Sequence, residues 1–428
     1  MVTNIVSQTS RRSQNNNKLK AILIFILNPL LSLPLIWKGI KKREVWAYVL
    51  AATFLGFLGI LYPPAGDMYR YTNDFNFYKE LDWSTFLFYM NLKFDYFLPL
   101  LSWGIGKLGA YPDITRFIFV TCAYCMLFHL YHDITESNKD ITFKLRLYTF
   151  VLVVPLLYNV YLFRMGLAQV TLVYGIYWYL LKNRIKGIYF ILLSAIIHVS
   201  YIPFILIAFL CRFKVLNLSK RTFIILCFSL IFLDSFPVGV DLLRSLPFSH
   251  SLLAHIEEYI TGSEAGNFQF SLNQIIKKQF SNIVFYIALY QYYLFYKNNP
   301  QHLKIKTFVN IFIIVVILSS SVPVLHSRML AVLKTFLIIS AVFYYKSSGK
   351  NYKILKTLTL FTIINIILTF WQLRFYIRFG QYDKLFTSSS ITLISFHYSD
   401  EWITKNVDEG GYLIEWLRLG YKPSEKTK

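Results

Sequence analysis

Runs of apolar residues alternate with short clusters of Lys and Arg along most of the chain, from residue 21 to residue 373. A membrane-crossing helix needs about 17–25 apolar residues. The pattern predicts crossings at 46–62, 114–131, 147–163, 165–181, 222–240, 280–296, 307–325, 329–345 and 357–373. Three further apolar stretches, 21–37, 96–106 and 188–211, are ambiguous. The first carries Asn28, Pro29 and Pro34, and prolines at depth break the helical hydrogen-bond ladder. It ends in Leu33-Pro-Leu-Ile-Trp37 and runs into Lys38, Lys41, Lys42 and Arg43 rather than into small residues at a cleavage site. It is therefore read as retained. The third, Ile188–Cys211, is 24 residues long and lies between two basic clusters, Lys182–Lys186 and Arg212–Lys214. At 1.5 Å per residue it is too short to cross twice. It is read as dipping in and returning, with His198 and Pro203 near the turn; the alternative is one long tilted helix that reverses everything downstream.

Charge orients these segments. With the N-terminus in the cytoplasm and the ambiguous stretches not crossing, 25 of the 44 Lys and Arg fall in short cytoplasmic loops and 17 in much longer external ones. The acidic residues divide 4 to 17 in the opposite sense. That is the positive-inside distribution. The expected fold is an all-α polytopic integral membrane protein of about 9–12 transmembrane or re-entrant helices. Residues 1–373 form the membrane domain, with external loops at 63–113 and 241–279, and residues 374–428 form an external tail.

Composition narrows the class. The chain of 428 residues is 56% hydrophobic and 15% charged, against about 25% charged in soluble domains. That excludes a disordered protein and argues against a soluble enzyme. The net charge of +22 comes from clusters between apolar runs, so a nucleic-acid partner is not expected and the lipid bilayer is. Cys122 and Cys125 have C-x-x-C spacing but lie in an apolar helix without a second ligand pair. They are read as packing residues; no metal and no cofactor is expected.

Four groups carry candidate chemistry. Asp67, Arg70, Tyr71 and Asp74 follow the first crossing at i, i+3/i+4 spacing, which puts a carboxylate and a guanidinium on one helical face. An interfacial helix with an aromatic belt would look the same. Arg164, in Tyr161-Leu-Phe-Arg-Met-Gly166-Leu-Ala-Gln169, is the only charge in 35 residues. A guanidinium so placed suits two-pronged phosphate binding, and snorkelling to the interface is the competing account. His198 is the only titratable side chain of its stretch, and His326-Ser327-Arg328 lie at the external face between two crossings. The loop 241–279 holds His250, His255, Glu257, Glu258 and Glu264 without metal-ligand spacing, and is read as an external cap.

These blocks resemble a family. Gly66-Asp67-Met-Tyr-Arg70-Tyr71 is similar to the "G-D-x-x-x-Y" block of the EpsG/Wzy-type polysaccharide polymerases. Leu162-Phe-Arg164-Met-Gly166-Leu-Ala168-Gln169, followed by Ile196-Ile-His198-Val-Ser200, resembles that family's "L-R-x-G-x-A … F-H-x-S" core. Gly109 and Arg328 occupy similar relative positions, and Arg164 with Gly175 fits an R-x10-G spacing. The family usually has Gln directly after the Arg; here Met165 follows and Gln169 comes later. The resemblance covers roughly 60–350, and residues 1–45 and 374–428 carry none.

The resemblance implies a GT-C-like integral-membrane glycosyltransferase in the bacterial cytoplasmic (inner) membrane, multi-pass, with its site facing outward. It would polymerise O-antigen, capsule or exopolysaccharide repeat units carried on undecaprenyl pyrophosphate, moving the growing glycan to the non-reducing sugar of an incoming unit. A chain-length regulator and a flippase of the same pathway are further candidate partners. In that chemistry Asp67 and His198 are the catalytic candidates and Arg70, Arg164 and Arg328 the pyrophosphate ligands. Tyr71, Asp74, Gln169 and His326 face the glycan, with Tyr69, Tyr78 and Trp83 as further stacking candidates. A glycan ligase, a lipid-linked glycan flippase and a membrane O-acyltransferase compete. The absence of a visible internal repeat disfavours a transporter.

Overall fold

The computed structural model describes residues 16–91, 96–136, 142–154, 163–212, 219, 221–226, 272–296, 303–319, 323–348 and 352–418. The expected loop 241–279 up to residue 271, with its His and Glu residues, lies outside the described residues, as do most of the run 222–240 and the stretch 155–162. The described residues are helical without a named strand; Val407 and Leu413 make an isolated bridge.

In chain order the first helices are α1 (16–27), α2 (Leu33–Lys41), α3 (Val45–Leu61), α4 (Asp67–Glu80), α5 (Trp83–Asn91) and α6 (Phe97–Lys107). Next come α7 (Pro112–Glu136), α8 (Phe143–Val153), α9 (Phe163–Ile176) with a π-helical turn at Tyr177–Leu181, α10 (Gly187–Ile197) and α11 (Pro203–Arg212). A helical turn α12 (221–226), then α13 (Leu272–Tyr296), α14 (Leu303–Leu318), α15 (Pro323–Ser348) and α16 (Tyr352–Phe379) complete the long elements. Four short helices follow: α17 (Lys384–Thr387), α18 (Ser390–Ile394), α19 (Asp400–Asn406) and α20 (Ile414–Arg418). Pro112–Glu136 and Leu325–Phe343 are long and apolar enough to cross a membrane. At 1.5 Å per residue, the first reaches roughly 38 Å, beyond a hydrocarbon core of about 30 Å.

The helices share two ends. α3, α7 and α9 bring Leu61, Pro112 and Phe163 to one of them, called the Asp67 end. At the opposite, Asp133 end, Lys182 Nζ pairs with Asp133 at 2.6 Å, Tyr177 donates its hydroxyl to the same carboxylate, and Tyr174 bonds His129 Nδ1 at 3.0 Å. These contacts pin α9 to α7. α9 and α10 approach closely because Gly175 and Gly187 face each other; a Cβ on Gly175 would meet the backbone nitrogen of Ile191 at 2.8 Å. Small residues permit such contact where lipid supplies no hydrophobic drive between helices.

Of the three ambiguous stretches, 96–106 forms the single helix α6 and the other two are broken helices. Residues 21–37 form α1 and α2 around a turn that Asn28 holds: its Oδ1 accepts from Leu30 N–H at 2.9 Å and Leu31 N–H at 3.1 Å. Its Nδ2 donates to the Leu385 carbonyl at 3.1 Å. The far end of α2 returns to the Asp133 end, where the Lys41 carbonyl accepts from Arg146 at 3.2 Å. Residues 188–211 break at His198, whose extended backbone ends α10 before a 3-10 turn, Val199–Tyr201, and α11. Other boundaries move. The break expected at 326–328 falls instead before Pro323, which suits a first helical position, so His326, Ser327 and Arg328 lie within the opening turns of α15. Arg164 likewise belongs to the first turn of α9. Past residue 374, α16 runs through to Phe379, and Leu385 and Leu393 are buried in the main core.

Candidate functional site

The site is built outward from the end of α3. Tyr62-Pro63-Pro64 stops that helix and leaves its last carbonyls without intrahelical donors. Arg116, one turn into α7, supplies them: its guanidinium donates to the Tyr62 carbonyl at 2.6 Å and to that of Ile60 at 3.5 Å. Asp113 pairs with the same guanidinium, and both side chains are buried, at 4% and 5% exposure. The Leu61 carbonyl accepts from Tyr398 Oη at 2.6 Å and from Gln381 N–H at 3.1 Å, so the C-terminal segment completes the cap. Burial pushes the Tyr398 and Tyr382 phenols up, with Arg116 opposing, so Tyr398 remains a protonated donor.

From that cap the chain turns through Gly66 into α4. Gly66 has φ +63° and ψ −133°, a conformation essentially confined to glycine. Its N–H donates to the Gly411 carbonyl at 2.6 Å. Asp67 opens α4 and pairs with Arg70 at 3.4 Å, both side chains more than half exposed. Tyr71 stands behind them, half-buried, with Phe163 edge-on at 5.2 Å. The guanidinium carbons of Arg70 and Arg164 each lie 5.3 Å from the Tyr71 ring centre. The two cations are therefore within about 11 Å of one another, comparable to a Debye length of ~8–10 Å. Two guanidinium groups on one aromatic ring, with a carboxylate beside them, suit a multiply charged oxyanion.

Helix register places the remaining candidates. Gln169 Nε2 donates to Thr335 Oγ1 at 3.4 Å, and Tyr177 packs edge-on against Phe343 at 5.9 Å. Eight residues separate the contacts on both helices, so α9 and α15 run parallel and Arg164 is level with Leu330. Arg328 is two residues from that level, roughly 3 Å along the axis. The Tyr174–Phe190 contact at 4.7 Å sets α10 antiparallel to α9, which puts His198 level with Gly166. Arg164, His198 and Arg328 thus occupy one layer near the Asp67 end. His198 is 6% exposed, and its Nδ1 accepts from Ser200 N–H at 3.3 Å. A backbone N–H can only donate, so the neutral ring carries its proton on Nε2.

The other candidates hold structure. Gln169, 6% exposed, ties α9 to α15, and His326 Nδ1 donates to the Val316 carbonyl at 3.0 Å, tying α15 to α14. Asp74 is half-buried on α4, where burial first and the Asp74 charge second push the Tyr78 phenol up to about 12. Tyr78 is not available to stack on a sugar: it is 3% exposed and packs against Phe86 at 5.9 Å. Trp83 remains 48% exposed, against Trp103 at 4.9 Å.

Sequence reading passed over Asp113, Arg116, Gln381 and Tyr398. Arg116 was legible by the reasoning applied to Arg164, since it too is a lone cation in an apolar segment. Nothing local marks Tyr398 or Gln381, whose partner Leu61 lies more than 300 residues away. Among the described residues, no three His, Cys, Asp or Glu side chains gather closely enough to hold a metal ion.

Against known proteins, the model of the EpsG family matches residues 44–389, which includes every candidate above and extends beyond residue 350, where the sequence blocks stop. No curated protein and no solved structure matches the chain.

Proposed function

The chain belongs to the EpsG family of Wzy-type polysaccharide polymerases, and from that premise we propose that it transfers a glycan from undecaprenyl pyrophosphate to the non-reducing sugar of an incoming lipid-linked repeat unit. The observation that carries this reading is the pair of guanidinium groups, Arg70 and Arg164, each 5.3 Å from the Tyr71 ring centre, beside Asp67. The leaving group is a pyrophosphate, so the reaction needs cations where negative charge develops. Arg164 and Arg70 grip its oxygens, and Arg328 adds charge from the same layer.

In the transfer, the bond between the donor's anomeric carbon and the phosphate oxygen breaks. The acceptor hydroxyl oxygen forms the new bond to that carbon, its proton passes to a base, and lipid pyrophosphate departs with the electron pair. Asp67 is the base in this scheme, because a carboxylate is the acceptor nearest the cations. His198, with its proton on Nε2, donates a hydrogen bond to the leaving group rather than removing a proton. Tyr71 and Asp74 meet the glycan, while Gln169 and His326 hold the wall on which Arg164 and Arg328 stand. The site faces outward across the bacterial cytoplasmic membrane, in keeping with the charge distribution of the loops, and the GT-C-like architecture is part of the same proposal.

The test is glycan ladder formation in cells expressing Arg164→Lys and Arg164→Ala, with protein levels checked by blot. Losing one charge-assisted contact that strengthens in the transition state should cost on the order of 3 kcal/mol, about a hundredfold in rate. Lysine keeps the charge but loses the planar two-pronged donor set, so it should not rescue. Full-length ladders from Arg164→Ala at normal expression refute the role. A flippase yields no ladder from purified protein and a lipid-linked repeat unit, whereas a polymerase does.

A further inference from the structure

At the Asp133 end, α2 and α8 gather cations. The last turn of α2 carries Lys38 and Lys41, and the chain then passes through Lys42 and Arg43 into α3. Arg43 takes φ +63°, the left-handed position after a helix that glycine usually fills. Its N–H donates to the Ile40 carbonyl at 3.0 Å and the Glu44 N–H to that of Gly39 at 3.0 Å, so the turn is tight and its cations stay grouped. α8 begins at the same end, because only residues 137–142 join it to α7. Arg146, in the first turn of α8, donates to the Lys41 carbonyl at 3.2 Å.

Two of these cations share one ring. Lys41 Nζ lies 5.7 Å from the Phe143 ring centre and 5.4 Å from that of Trp37, and the Arg146 guanidinium carbon lies 6.0 Å from that of Phe143. Phe143 is 51% exposed, and Lys41 and Trp37 beside it are exposed too, so a ligand can reach the cluster from outside. Among the described residues, no carboxylate pairs with Lys38, Lys41, Lys42, Arg43 or Arg146. The acids nearest along the chain are engaged elsewhere: Glu44 accepts from the Trp46 indole, and Glu136 pairs with His132 at 3.4 Å. Other cations of this end are committed, Lys182 to Asp133 and Lys304 to Asn183 at 2.9 Å. Next to the cluster the surface turns apolar. Trp37 lies one turn before Lys41 on α2, and the exposed Leu147 one turn after Phe143 on α8, each about 6 Å further from the Asp133 end.

We propose that this cluster binds the headgroup phosphate of an anionic phospholipid in the cytoplasmic leaflet, with its acyl chains along Trp37 and Leu147. The leaflet follows from the orientation that the loop charges give. A phosphodiester is an anion that two adjacent cations can share. A soluble anion would leave the apolar surface uncovered. A zwitterionic lipid carries the same phosphate but brings a cation of its own into the cluster. Bound there, the lipid ties α2 to α8. The inference does not depend on the polymerase reading, and its failure leaves that reading untouched.

The test is native mass spectrometry of the purified full-length protein in detergent, titrated with dioleoyl phosphatidylglycerol or dioleoyl phosphatidylcholine. The anionic lipid should bind at least about fivefold more tightly. A cation near a lipid phosphate is worth about fivefold in affinity, so Lys41→Gln and Arg146→Gln should each lose that much. Arg146→Gln also gives up the bond to the Lys41 carbonyl, whereas Lys41→Gln changes an exposed side chain only; thermal melting checks the fold of both. Lys304→Gln, which removes a committed cation at the same end, should change the affinity less than about twofold. Equal binding of the two lipids, undiminished phosphatidylglycerol affinity in Lys41→Gln, or an equal loss in Lys304→Gln overturns the site. Displacement of the lipid by millimolar inorganic phosphate overturns the lipid as its occupant.

Discussion

Replacing Arg116 by Met should destabilise the protein more than any of the exposed substitutions considered above. The side chain is 5% exposed, and so is shielded from solvent, and its partner Asp113 is 4% exposed. Removing the cation leaves a buried carboxylate uncompensated, and breaking one partner of such a pair costs about 3–5 kcal/mol. It also strips donors from the Tyr62 and Ile60 carbonyls, each of which then pays part of its desolvation penalty. Scaling the per-residue unfolding entropy to 428 residues gives roughly 0.9 kcal/mol per degree, so the melting temperature should fall by roughly 3–6 °C. The assay is fluorescence-detected size-exclusion of heated, detergent-solubilised protein. Asp113→Leu combined with Arg116→Met should recover much of the loss, because replacing both charges removes the uncompensated one. An Arg116→Met protein with an unchanged melting temperature would refute the claim that this pair holds the end of α3.

Two further outcomes follow from other contacts. Gly66→Ala forces a side chain into φ +63° and should cost about 1–3 kcal/mol, with ladder synthesis falling as the turn that presents Asp67 shifts; Gly411→Ala, at φ +82° against Tyr69, should act in the same direction, and wild-type ladders from both would count against the C-terminal segment positioning Asp67. Hydrogen bonds from Ser84, then Thr85, lower the Asp82 carboxyl to about 2, so its stabilising contribution is complete above its ordinary value of 3.8 and is lost as pH falls through about 2. Asp82→Asn should therefore abolish that part of the acid dependence, read as the difference in melting between pH 5 and pH 2.

What could be read without a structure was decided by period and by local chemistry. Crossings 46–62, 114–131, 280–296 and 357–373 coincide with helices, because a run of some 17 apolar residues has few other uses in a chain this poor in charge. The blocks around Asp67, Arg164 and His198 were legible as family-like sequence, and the family model confirms that membership. Helix boundaries were less legible. Hydropathy does not distinguish a loop from the first turn of a helix, so Arg164, His326 and Arg328 fell in expected gaps rather than on α9 and α15.

Tertiary structure alone decided the rest. The groups that cap α3 come from α7 and from residues 381 and 398, and neither hydropathy nor spacing links positions so far apart. The break at Asn28 is completed by the Leu385 carbonyl, which meets its Nδ2 only after the helices pack, whereas the one at His198 is held locally by the Ser200 N–H. The sequence by itself determined that the chain is a membrane helical protein with lone cations in apolar surroundings, since burying such charge without a purpose is expensive. Which cation serves the substrate and which serves the fold was settled by what surrounds each: Arg116 faces a carboxylate and carbonyls at 5% exposure, whereas Arg164 lies over Tyr71 beside the more exposed Arg70 and Asp67. A guanidinium already matched by buried oxygens holds the protein together, and one held at an aromatic rim is placed to meet an anion from outside.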